Sequence, residues 1–530
     1  MKRLQRPLPA ALLLVLLWTA WRLAYLAHAG IPQPKIHDEF SYLLQADTFA
    51  HGRLANPPPP FGRFFESFHV LVHPSYASKY PPGQAMFLAL GQVLFGHPFY
   101  GVLIGNALML FTFCLMLFAW VPWQWAIAVA GMFGLTLWPG MYWTNSYWGG
   151  SVAASGGALV LLAVGLYLKR PTVLAGLVFG LGALFLFWTR PFEGGVFTLM
   201  VLIVFARELW QSRRAPVLFT TLSVLALGGA WTGYDDFAVT GNPLLLPYVL
   251  YQHQYEVIPV FWFLPVRAEP TDSNPRIAAL EGTDAWGMSR YRGAHTGLHR
   301  LASQVYILLL TLRYDLGIAL VLLLLVPVGW RDSLFRKMAI ISGGFVLALG
   351  VETYDLKHYT APVWAGLALL IAIWAKHAWN LRIGKLRVGA APVILAFVSP
   401  LVLTGPLLPI VYPLLPREIK PFFGRPEMPP VYPDDWADRR AALIRRLSAL
   451  PGPQLVFVRY PSPDWRVHEE WVYNGADINH QRVVLAHDFG QEEDEAMLHY
   501  YSDRSAWLLT FDPASGLENI EPYLRTPLQP

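Results

Sequence analysis

The chain has little charge and almost no cysteine. Only 14% of its 530 residues are Asp, Glu, Lys or Arg, whereas a soluble domain carries about 25%. Together with 55% hydrophobic residues and a mean hydropathy of +0.38, this shortage of charge excludes an ordinary soluble protein. The single cysteine, Cys114, lies in an apolar stretch, which excludes an intrachain disulfide framework.

What the sequence has instead is a series of long apolar stretches. A helix of about 20 residues crosses the roughly 30 Å hydrocarbon core of a bilayer. We therefore predict a polytopic α-helical membrane protein with about eleven transmembrane helices. The predicted spans are 8–29, 99–119, 123–141, 151–168, 172–188, 195–206, 215–232, 315–330, 338–351, 360–376 and 388–410.

The positions of Lys and Arg predict how these helices are oriented. Basic residues precede the first span, so the N-terminus should be cytoplasmic and the first helix is expected to stay uncleaved. The apolar segment 82–96 is too short to cross the bilayer. If it lies as a helix in the outer membrane interface, the later loops that are rich in Lys and Arg fall on the cytoplasmic side. A first outer loop (30–98) and a second outer loop (233–300) then share the extracytoplasmic side of the plasma (inner) membrane. The net charge of +5 is explained by this orientation, and no nucleic-acid partner is expected.

The character of the chain changes after about residue 410. Residues 411–434 are rich in proline, which cannot sustain a helix, and predict a linker. Residues 435–530 mix helical and strand patterns and predict a small extracytoplasmic α/β domain. That domain has neither a glycine motif for phosphate nor metal-spaced cysteines, so a structural or substrate-capping role is expected. We predict helices at 435–450 and 492–501 and strands at 455–458, 483–486 and 507–511.

The first outer loop carries an acidic pair and a lysine–proline element. Asp38 and Glu39 follow the first span by roughly nine residues, just before a helical pattern. The pair could cap that helix, but a carboxylate at a helix N-terminus also stays ionised and can accept a proton. Lys79 precedes Pro81 and Pro82 and could hold a phosphate or reach lipid headgroups. Both interpretations are open for each residue.

Further ionisable residues lie at the predicted outer ends of later spans. Arg190 could extend to the interface or hold a phosphate oxygen bidentately. Residues 352–359 contain Lys357 and His358 between two short spans, and charge so close to the bilayer is a functional hypothesis. Asp235 could hold a substrate hydroxyl or cap the end of its helix.

Histidines of the first outer loop raise the question of a metal. His69 and His73 have the spacing of two ligands on one helix turn, but Pro74 follows at once. Ordinary polar loop histidines are the preferred interpretation. No cofactor is expected to be required, and a divalent metal is the less favoured alternative.

The sequence Asp38-Glu39-Phe40-Ser41-Tyr42 after the first span, with Lys79-Tyr80-Pro81-Pro82 leading into a juxtamembrane helix, resembles the GT-C superfamily of membrane glycosyltransferases. The pattern looks most like the branch that contains protein O-mannosyltransferases and lipid A aminoarabinose transferases. It covers about the first 200 residues. The chain departs from it at residues 57–60, at residues 145–150 and in the C-terminal domain.

The resemblance implies an inverting transfer of a sugar from a polyprenyl-phosphate donor to an extracytoplasmic hydroxyl. It makes Asp38 or Glu39 the base and Lys79 a contact of the donor phosphate. Arg190, Lys357 and His358 are our further candidates for the phosphate. The residues expected to bind other parts of the substrates are Tyr42, Glu66, His69, Tyr80, Glu193, Asp235 and Tyr354.

The expected partners are membrane lipid, the polyprenyl-phosphate sugar donor and an unidentified glycan, lipid or protein acceptor. A transporter or flippase for a lipid-linked or anionic solute is the main alternative. Such proteins use interrupted helices, and short, glycine-rich spans with the pairs Gly149-Gly150, Gly156-Gly157 and Gly343-Gly344 keep that alternative open.

Overall fold

A computed structural model describes residues 7–137, 141–211, 214–270, 274–282, 286–297, 327–354, 356–403 and 436–523, with the short pieces 300, 302, 305, 407, 410 and 412–414 between them. Most of the predicted span 315–330 and most of the predicted linker 411–434 lie outside these described residues. Lys357 is described only as part of the backbone.

Helices dominate the part of the chain before the C-terminal domain. In chain order they are α1 (Pro7–Ala29), α2 (His37–Ala50), α3 (Gly83–Phe95), α4 (Phe99–Trp120), α5 (Trp123–Thr136), α6 (Tyr142–Asn145), α7 (Ser151–Lys169), α8 (Val173–Phe187), α9 (Pro191–Val204), α10 (Ala206–Gln211), α11 (Ala215–Thr240), α12 (Pro247–Gln254), α13 (Pro275–Glu281), α14 (Trp286–Ala294), α15 (Ser333–Leu349), α16 (Trp364–Trp379) and α17 (Ala390–Leu403). Short 3-10 turns occur at Gly62–Phe65, Pro327–Arg331, Lys357–Val363 and Tyr412–Leu414.

Among the described residues, five helical stretches are long and apolar enough to cross a membrane. They are Leu8–Ala29, Phe99–Trp120, Ser151–Lys169, Ala215–Thr240 and His358–Trp379. Four shorter apolar helices accompany them, at Gly83–Phe95, Val173–Phe187, Pro191–Val204 and Ala390–Val402. The predicted helical membrane architecture is confirmed at this level, while the number of about eleven crossings stays a prediction.

The bundle has a buried centre and an apolar outer surface. In an apolar 18-residue window of His358–Trp379, 94% of the residues are buried, whereas in the corresponding window of Ala215–Thr240 only 11% are. The outer helix α11 exposes large apolar side chains such as Phe219 and Leu227. Exposed apolar surface of this extent suits contact with lipid chains rather than water.

Glycines let neighbouring helices approach closely. A Cβ added at Gly101 on α4 would lie 2.0 Å from the Phe87 carbonyl oxygen of α3, and one at Gly91 would lie 2.1 Å from the Gly101 nitrogen. Gly157 on α7 meets the Pro362 carbonyl oxygen in the same way, at 2.1 Å. Small residues at such contacts are typical of packing between membrane helices.

Two of the three glycine pairs behind the transporter alternative lie inside continuous helices, whereas Gly149 and Gly150 lie in the loop before α7. α7 runs through Gly156 and Gly157, and α15 runs through Gly343 and Gly344. Gly156 faces the Gly182 carbonyl oxygen of α8, with an added Cβ at 2.9 Å. This pair therefore serves close helix packing.

The C-terminal domain is a small α/β unit. Its elements are α18 (Trp436–Ser448), β3 (Gln454–Val458), β4 (Val483–His487), α19 (Gln491–Tyr500), β5 (Ser505–Phe511) and β6 (Glu518–Pro522), and a first hairpin, β1 (Val70–Leu71) with β2 (Ala77–Ser78), lies in the first outer loop. The sheet order is β4-β3-β5-β6, with β3 parallel to β4 and β5, and β6 antiparallel to β5. The predicted helices and strands are confirmed within about two residues, and β6 is an addition.

This domain shares its hydrophobic core with the first outer loop. Phe64 and Phe65 belong to the same buried cluster as the strands β3 and β4. The Phe40 ring stacks on the Tyr473 ring at a centroid distance of 4.2 Å. The Ser67 hydroxyl donates to the Val472 carbonyl oxygen at 2.7 Å. The domain is thus fixed against the loop that contains the acidic pair.

Candidate functional site

A cavity of about 890 Å³, called the outer cavity below, collects most of the segments that charge patterning placed on one side. Its walls come from residues of the first and second outer loops, from the start of α9, from the end of α11 and from residues 352–359. The C-terminal domain contributes a further wall. Segments hundreds of residues apart in the sequence therefore meet at one site.

The structure brings together ten of the predicted site residues and leaves two elsewhere. Those that line the outer cavity are Asp38, Tyr42, His69, Lys79, Tyr80, Arg190, Glu193, Asp235, Tyr354 and His358. Glu39 and Glu66 are not part of its lining. The side chain of Lys357 lies outside the described residues.

Glu39 holds the start of α2 in place. The helix begins at His37 after an extended Ile36, so Asp38 is not the N-cap residue that the sequence suggested. The Glu39 carboxylate accepts hydrogen bonds from the backbone amides of Lys35 (3.1 Å), Ile36 (3.3 Å) and Tyr147 (2.8 Å). Burial raises the pKa of Glu39 to about 7 even though these three amides stabilise its charged form. Its bonds tie α2 to the loop after α6, away from the cavity.

Glu66 likewise has a structural position. Its carboxylate accepts from the Asn274 amide at 3.2 Å and from the Tyr255 hydroxyl at 3.4 Å. It therefore joins the first outer loop to the second. The expectation that Glu66 contacts substrate is not matched by its place in the fold.

Asp38 lies at the centre of a cluster of polar rings. The Tyr80 hydroxyl donates to Asp38 Oδ1 and lies 2.7 Å from His69 Nδ1. The other carboxylate oxygen, Oδ2, is 3.5 Å from His37 Nε2. Burial alone would raise the pKa of Asp38, but His69, His37, the Tyr80 hydrogen bond and Lys79 together hold it below its usual range. Asp38 is therefore ionised and able to receive a proton.

His69 is held in an uncommon backbone conformation. Its φ is +64°, a region that non-glycine residues rarely adopt and that costs about 1–3 kcal/mol. Its amide donates to the Tyr251 hydroxyl at 2.8 Å, and its carbonyl accepts from the Ser41 hydroxyl at 2.6 Å. The ring Nε2 lies 3.4 Å from Glu281 Oε1. Burial and the nearby Lys79 place the pKa of His69 well below its usual value, so the ring is neutral.

Lys79 lines the cavity but already has an acidic partner. Its ammonium donates to Glu256 Oε1 at 2.6 Å, and both side chains are buried. The rings of Tyr80, Tyr248 and Tyr251 surround it at 4.5–5.5 Å. The structure thus places Lys79 in a buried ion pair, a setting that the sequence did not predict.

Arg190 occupies a second part of the outer cavity. It precedes the first turn of α9, and its guanidinium is 3.5 Å from Glu193 Oε1 and 4.6 Å from the centre of the Tyr359 ring. His358 packs nearby against Trp148, with ring centroids 4.5 Å apart. A guanidinium beside a helix N-terminus favours an anionic group. This part of the cavity can hold a phosphate.

Comparison with known proteins finds structural likeness only. No protein-family model and no curated protein match the chain. It is similar to ArnT from Cupriavidus metallidurans in the apo state, at 14% identity and a TM-score of 0.48 over 94% of this chain and 92% of that chain. It is also similar to the Archaeoglobus fulgidus oligosaccharyltransferase in the apo form, at 11% identity and a TM-score of 0.44 over 95% and 69% of the two chains. Both are GT-C membrane glycosyltransferases.

A structure of the same ArnT bound to undecaprenyl phosphate matches at 13% identity and a TM-score of 0.45, over 94% of this chain and 93% of that chain. These matches are to the superfamily that the first outer loop resembles. With TM-scores below 0.5 and identities of 14% or less, the likeness decides neither the substrate nor the role of any residue.

The histidine pair suggested by sequence spacing is not the one that the fold assembles. His37, Asp38 and His69 offer ligand atoms within 4.8 Å of one another. Two imidazoles and a carboxylate form a donor set that suits a divalent metal such as zinc. If a metal binds in this cavity, these three residues would hold it, while His73 lies outside the group.

Several cavity residues could not be found from local patterns. Glu256 and Glu281 come from the second outer loop and reach the first only through folding. His468 comes from the C-terminal domain and stacks on His37 at 5.8 Å between ring centroids. For Glu256 and Glu281, the sequence offers only a weak signal, which is that each is an acidic residue in the second outer loop. No local signal marks His468.

Proposed function

We propose that this protein is an inverting glycosyltransferase that moves a sugar from a polyprenyl-phosphate donor to an extracytoplasmic hydroxyl. The observation that carries the proposal is the shared cavity of an ionised carboxylate, Asp38, and a guanidinium, Arg190. The Tyr42 phenol lies within electrostatic range of both groups. A negative and a positive group in one cavity suit a reaction in which a hydroxyl loses a proton and a phosphate leaves.

The proposed reaction is a single displacement. The acceptor hydroxyl gives its proton to Asp38, and its oxygen attacks the anomeric carbon. The bond from that carbon to the phosphate oxygen breaks, and its electron pair leaves with the polyprenyl phosphate. Arg190 and His358, with Lys357 as a further candidate, stabilise the departing phosphate. Attack opposite the leaving group inverts the anomeric carbon.

Other predicted residues take supporting roles in this proposal. Lys79 adds positive charge to the cavity wall, while its direct bond goes to Glu256. Tyr42, Tyr80 and Tyr354 offer hydroxyls to the sugar, and Glu193 and Asp235 offer carboxylates. A polyprenyl phosphate is already a competent leaving group, so the chemistry needs no cofactor. A metal held by His37, Asp38 and His69 would supply Lewis-acid chemistry. It would also occupy a carboxylate oxygen of Asp38 and so hinder Asp38 from accepting a proton.

We place this site on the outer face of the plasma (inner) membrane, with the N-terminus in the cytoplasm. This orientation rests on the distribution of basic residues. A transporter is less well supported, because two of the three glycine pairs that suggested one lie in uninterrupted helices.

The test is the Asp38→Asn variant in lipid nanodiscs, with radiolabelled undecaprenyl-phosphate monosaccharides as donors and envelope glycans, lipids and proteins as acceptors. Loss of a general base should lower the transfer rate by about 10²-fold or more. Binding of undecaprenyl phosphate should stay unchanged, whereas Arg190→Gln should weaken it. Asp464→Asn, at a fully exposed carboxylate outside the cavity lining, is the matched control. Unchanged transfer by Asp38→Asn would remove Asp38 as the base.

A further inference from the structure

One wall of the outer cavity belongs to the C-terminal domain. The loop between β3 and β4 places Arg466, His468 and Glu469 on the cavity surface, and Trp436 from α18 lies beside them. We call residues 465–469 the rim loop. His468 is exposed, and its ring stacks on His37, which in turn lies 3.5 Å from Asp38. The rim loop thus ends next to the proposed base.

Arg276 on α13 fixes the backbone of the rim loop. Its Nε donates to Glu470 Oε2 at 3.0 Å, and its guanidinium lies 3.7 Å from the centre of the Tyr460 ring. Its terminal nitrogens donate to backbone carbonyls at 2.5–3.5 Å. Those carbonyls belong to Pro463, Trp465, Arg466, Val467 and Glu469. Arg276 and Glu470 are buried, so water does not compete for these bonds.

This arrangement leaves side chains, rather than backbone, to face the cavity. Peptide ligands that add to a protein as a strand need free backbone groups. Here the carbonyls of four of the five rim-loop residues already accept from Arg276. The side chains of Arg466, His468 and Glu469, which line the cavity, are therefore the main groups for recognition at the rim loop.

The side chains of the rim loop combine donors and acceptors with little net charge. The Arg466 guanidinium donates, the Glu469 carboxylate accepts, and the two lie 3.5 Å apart as an ion pair. A neutral imidazole such as His468 donates at one nitrogen and accepts at the other. Because the pair neutralises itself, the loop favours neither an anionic nor a cationic group. Hydroxyls, which donate and accept at once, match this surface.

Arg466 is held in place by its own neighbours. Its φ of +39° is a left-handed conformation, and Gly516 packs so closely that an added Cβ would lie 2.4 Å from the guanidinium carbon. A side chain fixed in this way loses little freedom when it binds a ligand.

We propose that the rim loop is the acceptor subsite and that the acceptor is a carbohydrate. A sugar ring bound there by Arg466, His468 and Glu469 would present one hydroxyl to Asp38. This inference rests on the proposed glycosyl transfer and narrows its acceptor from a glycan, lipid or protein to a polyhydroxylated sugar. It also gives the C-terminal domain a direct part in substrate recognition.

The experiment measures binding to the full-length protein in nanodiscs by saturation-transfer NMR. The probes are maltotriose, cellotriose, mannotriose and chitotriose, and the contrasting probe is a blocked Ser/Thr peptide. At least one trisaccharide should bind. Its dissociation constant should rise about tenfold in His468→Ala and in Arg466→Asn, since each removes hydrogen bonds to a polar or charged group. Asparagine is chosen at position 466 because it tolerates left-handed backbone.

His480→Ala is the matched control, because His480 is exposed in the same domain and pairs with Asp477 instead of facing the cavity. Sugar binding that is equal in the rim-loop variants and the control would overturn the subsite. Binding of the peptide alone, or of no probe, would overturn the carbohydrate class. Undecaprenyl phosphate binding, measured on the same samples, separates the two proposals. If the protein binds undecaprenyl phosphate but no sugar, only the acceptor inference is wrong. If the wild type does not bind undecaprenyl phosphate, the proposed donor is wrong.

Discussion

At the scale of single residues, Asp38 and Glu39 are neighbours with opposite surroundings. Asp38 faces the outer cavity among His37, His69 and Tyr80. Glu39 is enclosed by three backbone amides. The acidic pair could be located from the sequence, because it follows the first span directly. Which member faces substrate could not, since that depends on where α2 begins and on a contact with Tyr147 from a distant loop.

Glu39→Ala should destabilise the protein without acting on the chemistry directly. The substitution leaves the amides of Lys35, Ile36 and Tyr147 without their acceptor, at a cost of about 2 kcal/mol or more. A lower thermal unfolding midpoint in detergent would show this. The control Glu495→Ala removes an exposed carboxylate and should leave the midpoint unchanged. An unaltered midpoint for Glu39→Ala would contradict the structural role.

Tyr80→Phe should move the acidic limb of the transfer rate to higher pH. The Tyr80 hydroxyl donates to Asp38 and helps to hold the pKa of that carboxyl below its usual range, so its removal raises that pKa. Asp38 must be ionised to accept a proton, and a higher pKa means that the rate begins to fall at a higher pH as the medium is acidified. Phenylalanine keeps the ring at position 80, which stacks on Tyr42, and removes only the hydroxyl. A pH–rate profile of each protein checks the direction, and a shift to lower pH would refute it.

At the scale of elements, periodicity and composition located most helices and strands. Apolar runs of about 20 residues gave the long helices, and alternating or buried runs gave β3, β4 and β5. β6 was missed because Glu518–Pro522 contains two glutamates and ends in proline, a composition that is unusual for a strand. Helix ends follow the apolar runs less closely. The run 123–141 predicts one span, yet α5 ends at Thr136, and α11 continues to Thr240 beyond the predicted end at residue 232.

Packing between α3 and α4 depends on Gly101. A Gly101→Val substitution places a side chain where the Phe87 carbonyl oxygen lies, and should destabilise the protein by about 3 kcal/mol. Because α3 follows the Lys79-Pro82 element, its displacement should also weaken undecaprenyl phosphate binding. Gly131→Ala is the control, since an added Cβ there meets nothing within 4 Å. Equal thermal midpoints for the two variants would show that the close contact does not matter.

At the scale of the whole molecule, the distribution of basic residues predicts which segments lie on the same side of the membrane. Arg190, Asp235 and His358 were placed on one side from the basic residues of the opposite loops, and all of them line the outer cavity. The contribution of the C-terminal domain could not be foreseen. Contacts such as that of Arg276 with Glu470 join residues 194 positions apart, and no local pattern encodes them.

The orientation itself can be tested by cysteine labelling. The single native cysteine, Cys114, is buried, so introduced cysteines should dominate the signal. Ser515→Cys in the C-terminal domain should react with a membrane-impermeant maleimide on intact spheroplasts. Gln211→Cys, at the end of α10 in the basic stretch between α9 and α11 that is predicted to be cytoplasmic, should react only after the membrane is made permeable. The reverse pattern would place the C-terminal domain in the cytoplasm.

The shared core of the first outer loop and the C-terminal domain has a consequence for biosynthesis. Asp38 is translated before the residues of the C-terminal domain that form a wall of its cavity. The outer cavity is therefore complete only after residues 436–469 have been translated and have packed on the first outer loop.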